Sequence, residues 1–336
     1  MYKSIILLIN TFILLIDLFG NKILNKYNNY NYINVAYSID DYFHYIAHVS
    51  MKSIMLSQKP TTFINFYILC SNLTRKQREI IDSIRKHHSN CKIKYIDMGK
   101  KFKDFTFPNT SSVHWTTADF YRIDLQNLLP NEKKILFLDG DTLIYKDLNK
   151  IYNYNIFNKF FIGMIEISNF KKEYKGKTFD NFINTGVLLC NLEELRKGNI
   201  YEKYLYFYKN NIDVIKAPVN EPLNIVSHEK NGYFGPEYVT FAFCDEFDAF
   251  NYYSNSLIKV NKKAVLKAYK EPYIYHYINY KDPSKKRHLK YGKPWKNIPI
   301  KDNKICVDRF IRFYEMARKT DFYYEILDKF KLELIK

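Results

Sequence analysis

"ILFLDGDTLIYKDL", residues 135–148, is the stretch on which the fold turns. An apolar run stops at two carboxylates, Asp139 and Asp141, with only Gly140 between them, and then resumes. In an extended chain, side chains two apart share one side. Both carboxylates would then present their oxygens together at the end of a strand. Two anions held close repel each other unless a cation sits between them or one is protonated. A hard divalent ion, Mn²⁺ or Mg²⁺, suits such an oxygen-rich pair. Asp-Gly between apolar runs is equally the signature of a tight hairpin, and these residues alone leave both readings open.

The flanking sequence bears on the choice. Upstream, "YINVAYSIDDY" is a strand-like run ending in Asp40 and Asp41, and "HYIAHVSMKSIMLSQ" follows with apolar residues at helical spacing. "TTFINFYILC" is a second strand, and "LTRKQREIIDSIRKHH" opens with a threonine cap and continues as an amphipathic helix. "CKIKYIDM" is a third strand, "TTADFYRIDLQNLLP" a helix ended by Pro130, and "KKILFLDGD" a fourth strand. Such alternation predicts a parallel sheet covered by helices. Ligands of open α/β sheets sit outside the carboxyl ends of the strands. Asp40 and the Asp139/Asp141 pair both fall at such ends, which favours a site over a coincidental hairpin. Further on, "KFFIGMIEI", "NTGVLLCNLEELRK" and "EPYIYHYINY" supply strands, the last carrying His276. The final segment reads as two helices with Cys306, Val307, Phe310, Tyr314 and Ala317 on one face. Packing on the domain is their first expected role and contact with a membrane surface the second.

With 47% hydrophobic and 18% aromatic residues, the 336-residue chain is globular and not disordered. Its net charge of +17 favours anionic partners. No basic cluster is interleaved with base-stacking aromatics, so nucleic acid is not an expected partner. The five cysteines show no zinc spacing, and Cys70 and Cys190 end apolar runs as buried free thiols. Residues 1–20, "MYKSIILLINTFILLIDLFG", form an apolar stretch after Lys3 that is shorter than the ~20 residues of a bilayer span. A secretory signal or short membrane anchor is the first reading and a buried helix the other. Residues 21–31 read as a polar stem. The sequons Asn72-Leu-Thr74 and Asn109-Thr-Ser111 are compatible with a lumenal route. The expected location is therefore the secretory lumen or a membrane surface, the cytoplasmic face included.

From about residue 32 to 296 the chain resembles glycosyltransferase family 8. The resemblance rests on "VAYSIDDY", "ADFYRIDLQNLLP", "LFLDGD", "INTGVLLCNLEELRK" and "IYHY" followed by "GKPW", in the family's order. It implies an α/β fold of the GT-A type: a nucleotide-binding α/β/α domain over residues 32–300 with a mostly parallel sheet, then C-terminal helices over 301–336. It implies a retaining, metal-dependent hexosyltransferase that moves glucose or galactose from a UDP-sugar to a glycan, lipid or protein. By the same resemblance Asp139, Asp141 and His276 hold Mn²⁺ or Mg²⁺. Ser38, Asp40, Tyr42, Phe43, Arg122, Asp139, Gly140, Asn184, Gly292 and Lys293 contact the donor, with Lys293 against the departing diphosphate. Asn220 stands near the anomeric carbon, so the catalytic set is Asn220, Asn184 and Lys293.

Three departures from the family pattern stand out. The segment "INYKDPSKKRHLKY" separates His276 from Lys293, which makes His288 the alternative ligand. Val219, Asn220 and Glu221 occupy the places of the family's Asp-Gln-Asp. Tyr42 stands where asparagine is frequent. The loss of the first carboxylate keeps two further functions in view: a catalytically degenerate UDP-sugar binder, and a basic membrane- or nucleic-acid-binding protein whose DGD is only a turn.

Overall fold

The computed structural model describes residues 30–107, 115–166, 172–174, 177–242, 249, 261–277, 293–295 and 307–330. The N-terminal segment, residues 21–29 of the stem, the second sequon, Cys244, His288, Gly292 and Cys306 lie outside the described residues, while Asn31, at the end of the expected stem, opens the first strand.

The first half of the chain builds a parallel sheet from four strands: β1 (Asn31–Ile39), β2 (Thr62–Cys70), β3 (Cys91–Asp97) and β4 (Lys134–Leu138). Then come β5 (Thr142–Ile144), β6 (Phe161–Ile165), a small ribbon of β7 (Lys172–Tyr174) and β8 (Lys177–Phe179), and β9 (Ile183–Asn191). The last strands are β10 (Asn231–Phe234), β11 (Val239–Phe241) and β12 (Ile274–His276). The central sheet has the order β10-β6-β9-β4-β1-β2-β3, and β11-β12-β5 form a second, three-stranded sheet.

Both faces of the central sheet are covered, which is why its strands read as near-continuous apolar runs. Ile33, Val35, Tyr37 and Ile39 of β1 enter one layer and Ala36 the other. The helix His44–Ser57 is buried from His44 to Met55 because it is sandwiched. Ala47, Met51 and Ile54 pack on the sheet, and Tyr45, Ile46 and Val49 pack toward the C-terminal helices. Thr74 caps the next helix, Arg75–Asp82, through a reciprocal pair with Gln77. Cys70 and Cys190 are buried free thiols, as their strand-end positions predict.

The central sheet itself is mostly parallel, as the resemblance implies, with β9 running antiparallel to both β4 and β6. No crossover helix separates β6 from β9 among the described residues, so β9 can return directly beside its neighbour. Two local expectations need correction. The single helix expected over 116–129 is instead Thr117–Tyr121, a 3₁₀ turn at Arg122–Asp124, and Leu125–Leu128. Within that turn Asp124 accepts from Asn127 and pairs with Lys101. In the C-terminal helix Val307–Ala317 the buried stripe is Arg309, Phe313, Met316 and Ala317, while Phe310 and Tyr314 are half-buried. A ring cluster sets that register: Phe313 lies 5.1 Å from Trp295, and the Tyr277 hydroxyl donates to the Arg309 carbonyl.

The junction between the helix His44–Ser57 and the C-terminal segment carries a pH dependence. His48 is buried edge-on against Phe322, with no hydrogen bond to Nδ1 among the described residues. Burial pushes its imidazole down to about 3; Lys52 and His44 add to the shift and Asp321 opposes it. The unfolded chain therefore takes up a proton on this histidine that the folded protein refuses. Stability is intact above about pH 6.5 and falls toward pH 3, by at most ~1.4 kcal/mol per pH unit from this group. Urea unfolding at pH 7.5 and pH 5 should show this loss in the wild type. In His48→Leu the loss should be shallower, and an unchanged slope would contradict the assignment.

Candidate active site

The DGD segment is a turn but not a hairpin. The chain leaves the central sheet at Asp139, turns through Gly140 and Asp141, and enters the second sheet at Thr142. There β5 pairs with β12, setting Thr142 opposite His276, and the Tyr277 amide donates to the Asp141 carbonyl at 2.9 Å. This register brings His276 to the aspartates. Its Nε2 lies 3.3 Å from Asp141 Oδ1 and 3.6 Å from Asp139 Oδ2. Ligand atoms of Asp139, Asp141 and His276 all fall within 4.8 Å of one another.

Two glycines make the cluster possible. A Cβ on Gly186 of β9 would lie 2.3 Å from His276 Cε1 and 2.4 Å from Asp139 Oδ2. Gly140 lies under the helix His44–Ser57, where a Cβ would meet Phe43 Cδ1 at 3.3 Å and Ala47 Cβ at 3.4 Å.

Charge around the pair is balanced before any ligand arrives. Arg122 Nη2 lies 2.9 Å from Asp139 Oδ1, and Lys293 pairs with Asp141. Burial alone would raise both carboxyls. Arg122 at Asp139, and Lys293 with His276 at Asp141, hold them below the usual carboxylate range instead. Burial would likewise lower His276, but its two carboxylates outweigh it and push the imidazole up to about 9. Asp119 moves up to about 6 through burial, against the pull of Arg122.

Other expected site residues line the same edge. The Ser38 hydroxyl, near the end of β1, is buried with no hydrogen bond among the described residues. Asp40 Oδ1 accepts from the Tyr42 and Phe43 amides, folding the turn into the helix His44–Ser57. Tyr42 is exposed and meets Phe43 and Phe330 edge-on. The Phe43 ring centroid is 5.7 Å from Lys293 Nζ. The C-terminal helix holds the Lys-Pro-Trp segment in place, since the Tyr314 hydroxyl donates to the Pro294 carbonyl at 2.7 Å. Arg122 is spent inside the protein: Nη1 donates to the Thr185 carbonyl, Nε to the Asp119 carbonyl, and the guanidinium lies over Phe137. It meets the site through Asp139.

Asn184 accepts from the Gly186 amide at 2.9 Å. Asn220 accepts from the Thr185 hydroxyl and donates Nδ2–H to Glu166 Oε2 at 2.8 Å. Its neighbours turn inward: Val219 packs in the apolar layer with Leu223, and buried Glu221 accepts from the Lys216 amide. Sequence reasoning gave no role to Gly186, Thr185, Asp119 or Glu166. Glu166 directly follows β6 as Asp139 follows β4, so the strand-end acid pattern was there to find.

A mostly parallel α/β sheet with an Asp/Asp/His group at its carboxyl edge that could hold a cation is the architecture of a GT-A glycosyltransferase domain. The sequence profile described as "Glycosyl transferase family 8" matches residues 34–298, and the chain belongs to that family. A protein of Haemophilus influenzae that carries a provisional glycosyltransferase name is 28% identical over 199 residues, 57% of this chain and 58% of its own. The solved structure of the galactosyltransferase LgtC, in complex with donor and acceptor sugar analogs, superposes with a TM-score of 0.66 at 19% identity. It covers 86% of this chain and 96% of LgtC. The bifunctional glycosyltransferase WbbM aligns at a TM-score of 0.64 and 15% identity, over 88% of this chain and 51% of its own. The chain thus spans little more than half the length of the curated relative and of WbbM.

Proposed function

We propose that the protein is a retaining hexosyltransferase that uses a UDP-sugar and a divalent cation. The observation that carries this reading is the convergence of Asp139, Asp141 and His276 at the sheet edge. Two carboxylates and one imidazole are a fitting donor set for Mn²⁺, with Mg²⁺ the harder alternative. The cluster is kept compact by the side-chain-free surface of Gly186. A divalent cation held there supplies positive charge where the leaving diphosphate becomes doubly negative.

The residues of the chain do the rest. Arg122 fixes the rotamer of Asp139, and Lys293 stands beside Asp141 as a compact positive charge for a diphosphate oxygen. Ser38, Asp40 and Phe43 would meet the nucleotide, and Asn184 and Asn220 the sugar. The C1–O bond to the diphosphate breaks, and an acceptor hydroxyl oxygen bonds to C1 on the same face. Its proton leaves with the diphosphate. Glucose and galactose are the donor sugars we favour, with a glycan, lipid or protein as acceptor. The segment before residue 30 would act as a secretion signal or membrane anchor.

A panel of UDP-sugars assayed for Mn²⁺-dependent UDP release tests the proposal. Release from at least one UDP-hexose, abolished by chelation, is the expected result. No release from any donor, with or without acceptor, would overturn it. The second reading, a binder without turnover, is favoured by Val219, which fills a carboxylate position with a core side chain. It predicts Mn²⁺-dependent UDP binding with no release.

A further inference from the structure

We infer that Glu166 is the carboxylate that contacts the transferred sugar, aimed by Asn220, in the place that Val219 leaves empty of charge. The inference rests on the transferase reading and deepens it to the recognition of the hexose itself. β6 runs parallel to β1 and β4 across the sheet, so its end opens on the edge that holds the metal cluster. The register that pairs Ile165 with Ile183 puts Glu166 opposite Phe182, just before β9, and its amide donates to the Phe182 carbonyl at 2.7 Å.

A chain of contacts ties Glu166 to that cluster. Arg122 joins Asp139 to the Thr185 carbonyl, the Thr185 hydroxyl donates to Asn220 Oδ1, and Asn220 Nδ2 donates to Glu166 Oε2. An asparagine amide has a donor end and an acceptor end, and here both are committed. Its orientation is therefore fixed, and so is that of the carboxylate it holds.

Glu166 forms no ion pair with lysine or arginine among the described residues, and its second oxygen accepts no hydrogen bond there. A half-buried carboxylate placed for structure would be paired with lysine or arginine. This one keeps an acceptor oxygen unused and is joined to Asp139 through Asn220, Thr185 and Arg122. Burial raises its carboxyl to about 7, against the pull of Asn220 and His276. Of the three residues at the family's Asp-Gln-Asp places, only Asn220 is turned toward this edge, so the acceptor for a sugar hydroxyl has to come from elsewhere. Glu166 supplies that acceptor.

The test compares UDP with UDP-glucose and UDP-galactose, each with Mn²⁺, by calorimetry on the full chain, alongside UDP release. Glu166→Gln keeps size and hydrogen bonding, and Glu166→Ala removes the group. Both should bind UDP within twofold of wild type. For the preferred UDP-hexose, affinity relative to UDP and the rate of UDP release should each fall about tenfold or more. Unchanged handling of the UDP-hexose would overturn the inference while leaving the transferase reading intact. A parallel loss of UDP affinity would overturn it as well, by making Glu166 a structural support. Absence of Mn²⁺-dependent UDP binding in the wild type would overturn the transferase reading, and the inference with it.

Discussion

Asp141→Asn should give a folded protein that no longer binds UDP in a Mn²⁺-dependent way and releases UDP from a UDP-hexose ~10²–10³-fold more slowly. Asparagine keeps the shape of the side chain and removes its charge. His276 then loses the closer of its two carboxylates, the one at 3.3 Å, and its pKa falls back toward the ordinary value. Lys293 loses its partner, but its side chain is 19% exposed and can turn to water. The cost to stability should therefore be small, a few degrees in Tm. Asp139→Asn should abolish activity to the same degree and cost more stability. Arg122 is only 6% exposed, has no route to solvent, and keeps only the longer pair with Asp119 at 3.6 Å. Removing the closer partner of a buried charge costs up to about 3 kcal/mol. Thermal unfolding of the two variants side by side separates these effects. Retention of Mn²⁺-dependent UDP binding by Asp141→Asn would remove the cation from the proposed chemistry.

The alternation of strands and helices, and the position of Asp139 and Asp141 at a strand end, were legible because they depend on local pattern. His276 was legible for a related reason: "EPYIYHY" carries a strand signature that places the histidine near a strand's end. What could not be read depends on register between distant segments. Nothing in "ADFYRIDLQNLLP" reveals that Arg122 reaches the Thr185 carbonyl and Asp139, since that geometry follows from β4 pairing antiparallel with β9. The inward turn of Val219 and Glu221 is likewise a consequence of how the helix Asn220–Ser227 packs against the sheet. The buried stripe of the C-terminal helix shifted because a ring cluster, and not amphipathic spacing alone, sets its rotation. Glu166 was overlooked for a different reason. A single acid after an apolar run is common, and only Asn220 against it gives it meaning.

Gly186 shows the same point from the side of space, and it carries the second large prediction. Gly186→Ala should suppress Mn²⁺-dependent UDP release about as completely as Asp141→Asn, although one methyl group is all that is added. The new carbon would lie 2.3 Å from His276 Cε1 and 2.4 Å from Asp139 Oδ2, distances that no real contact sustains. Neither neighbour yields easily. His276 is 3% exposed and pinned within β12, while Asp139 is gripped by Arg122 and by its own amide, which donates to the Gly186 carbonyl at 2.7 Å. The ligand atoms must therefore spread, and a cation site depends on their spacing far more than the apolar core does. Overpacking of this kind costs ~1–3 kcal/mol, so the sheet should survive. Gly232→Ala, on β10 of the same sheet, is the matched control: its Cβ would first meet Ile162 Cγ1 at 3.3 Å, a contact a small shift relieves. Metal-dependent UDP binding and far-UV circular dichroism of the two variants decide the matter. Full UDP binding in Gly186→Ala would mean that His276 and Asp139 do not act on the same ion.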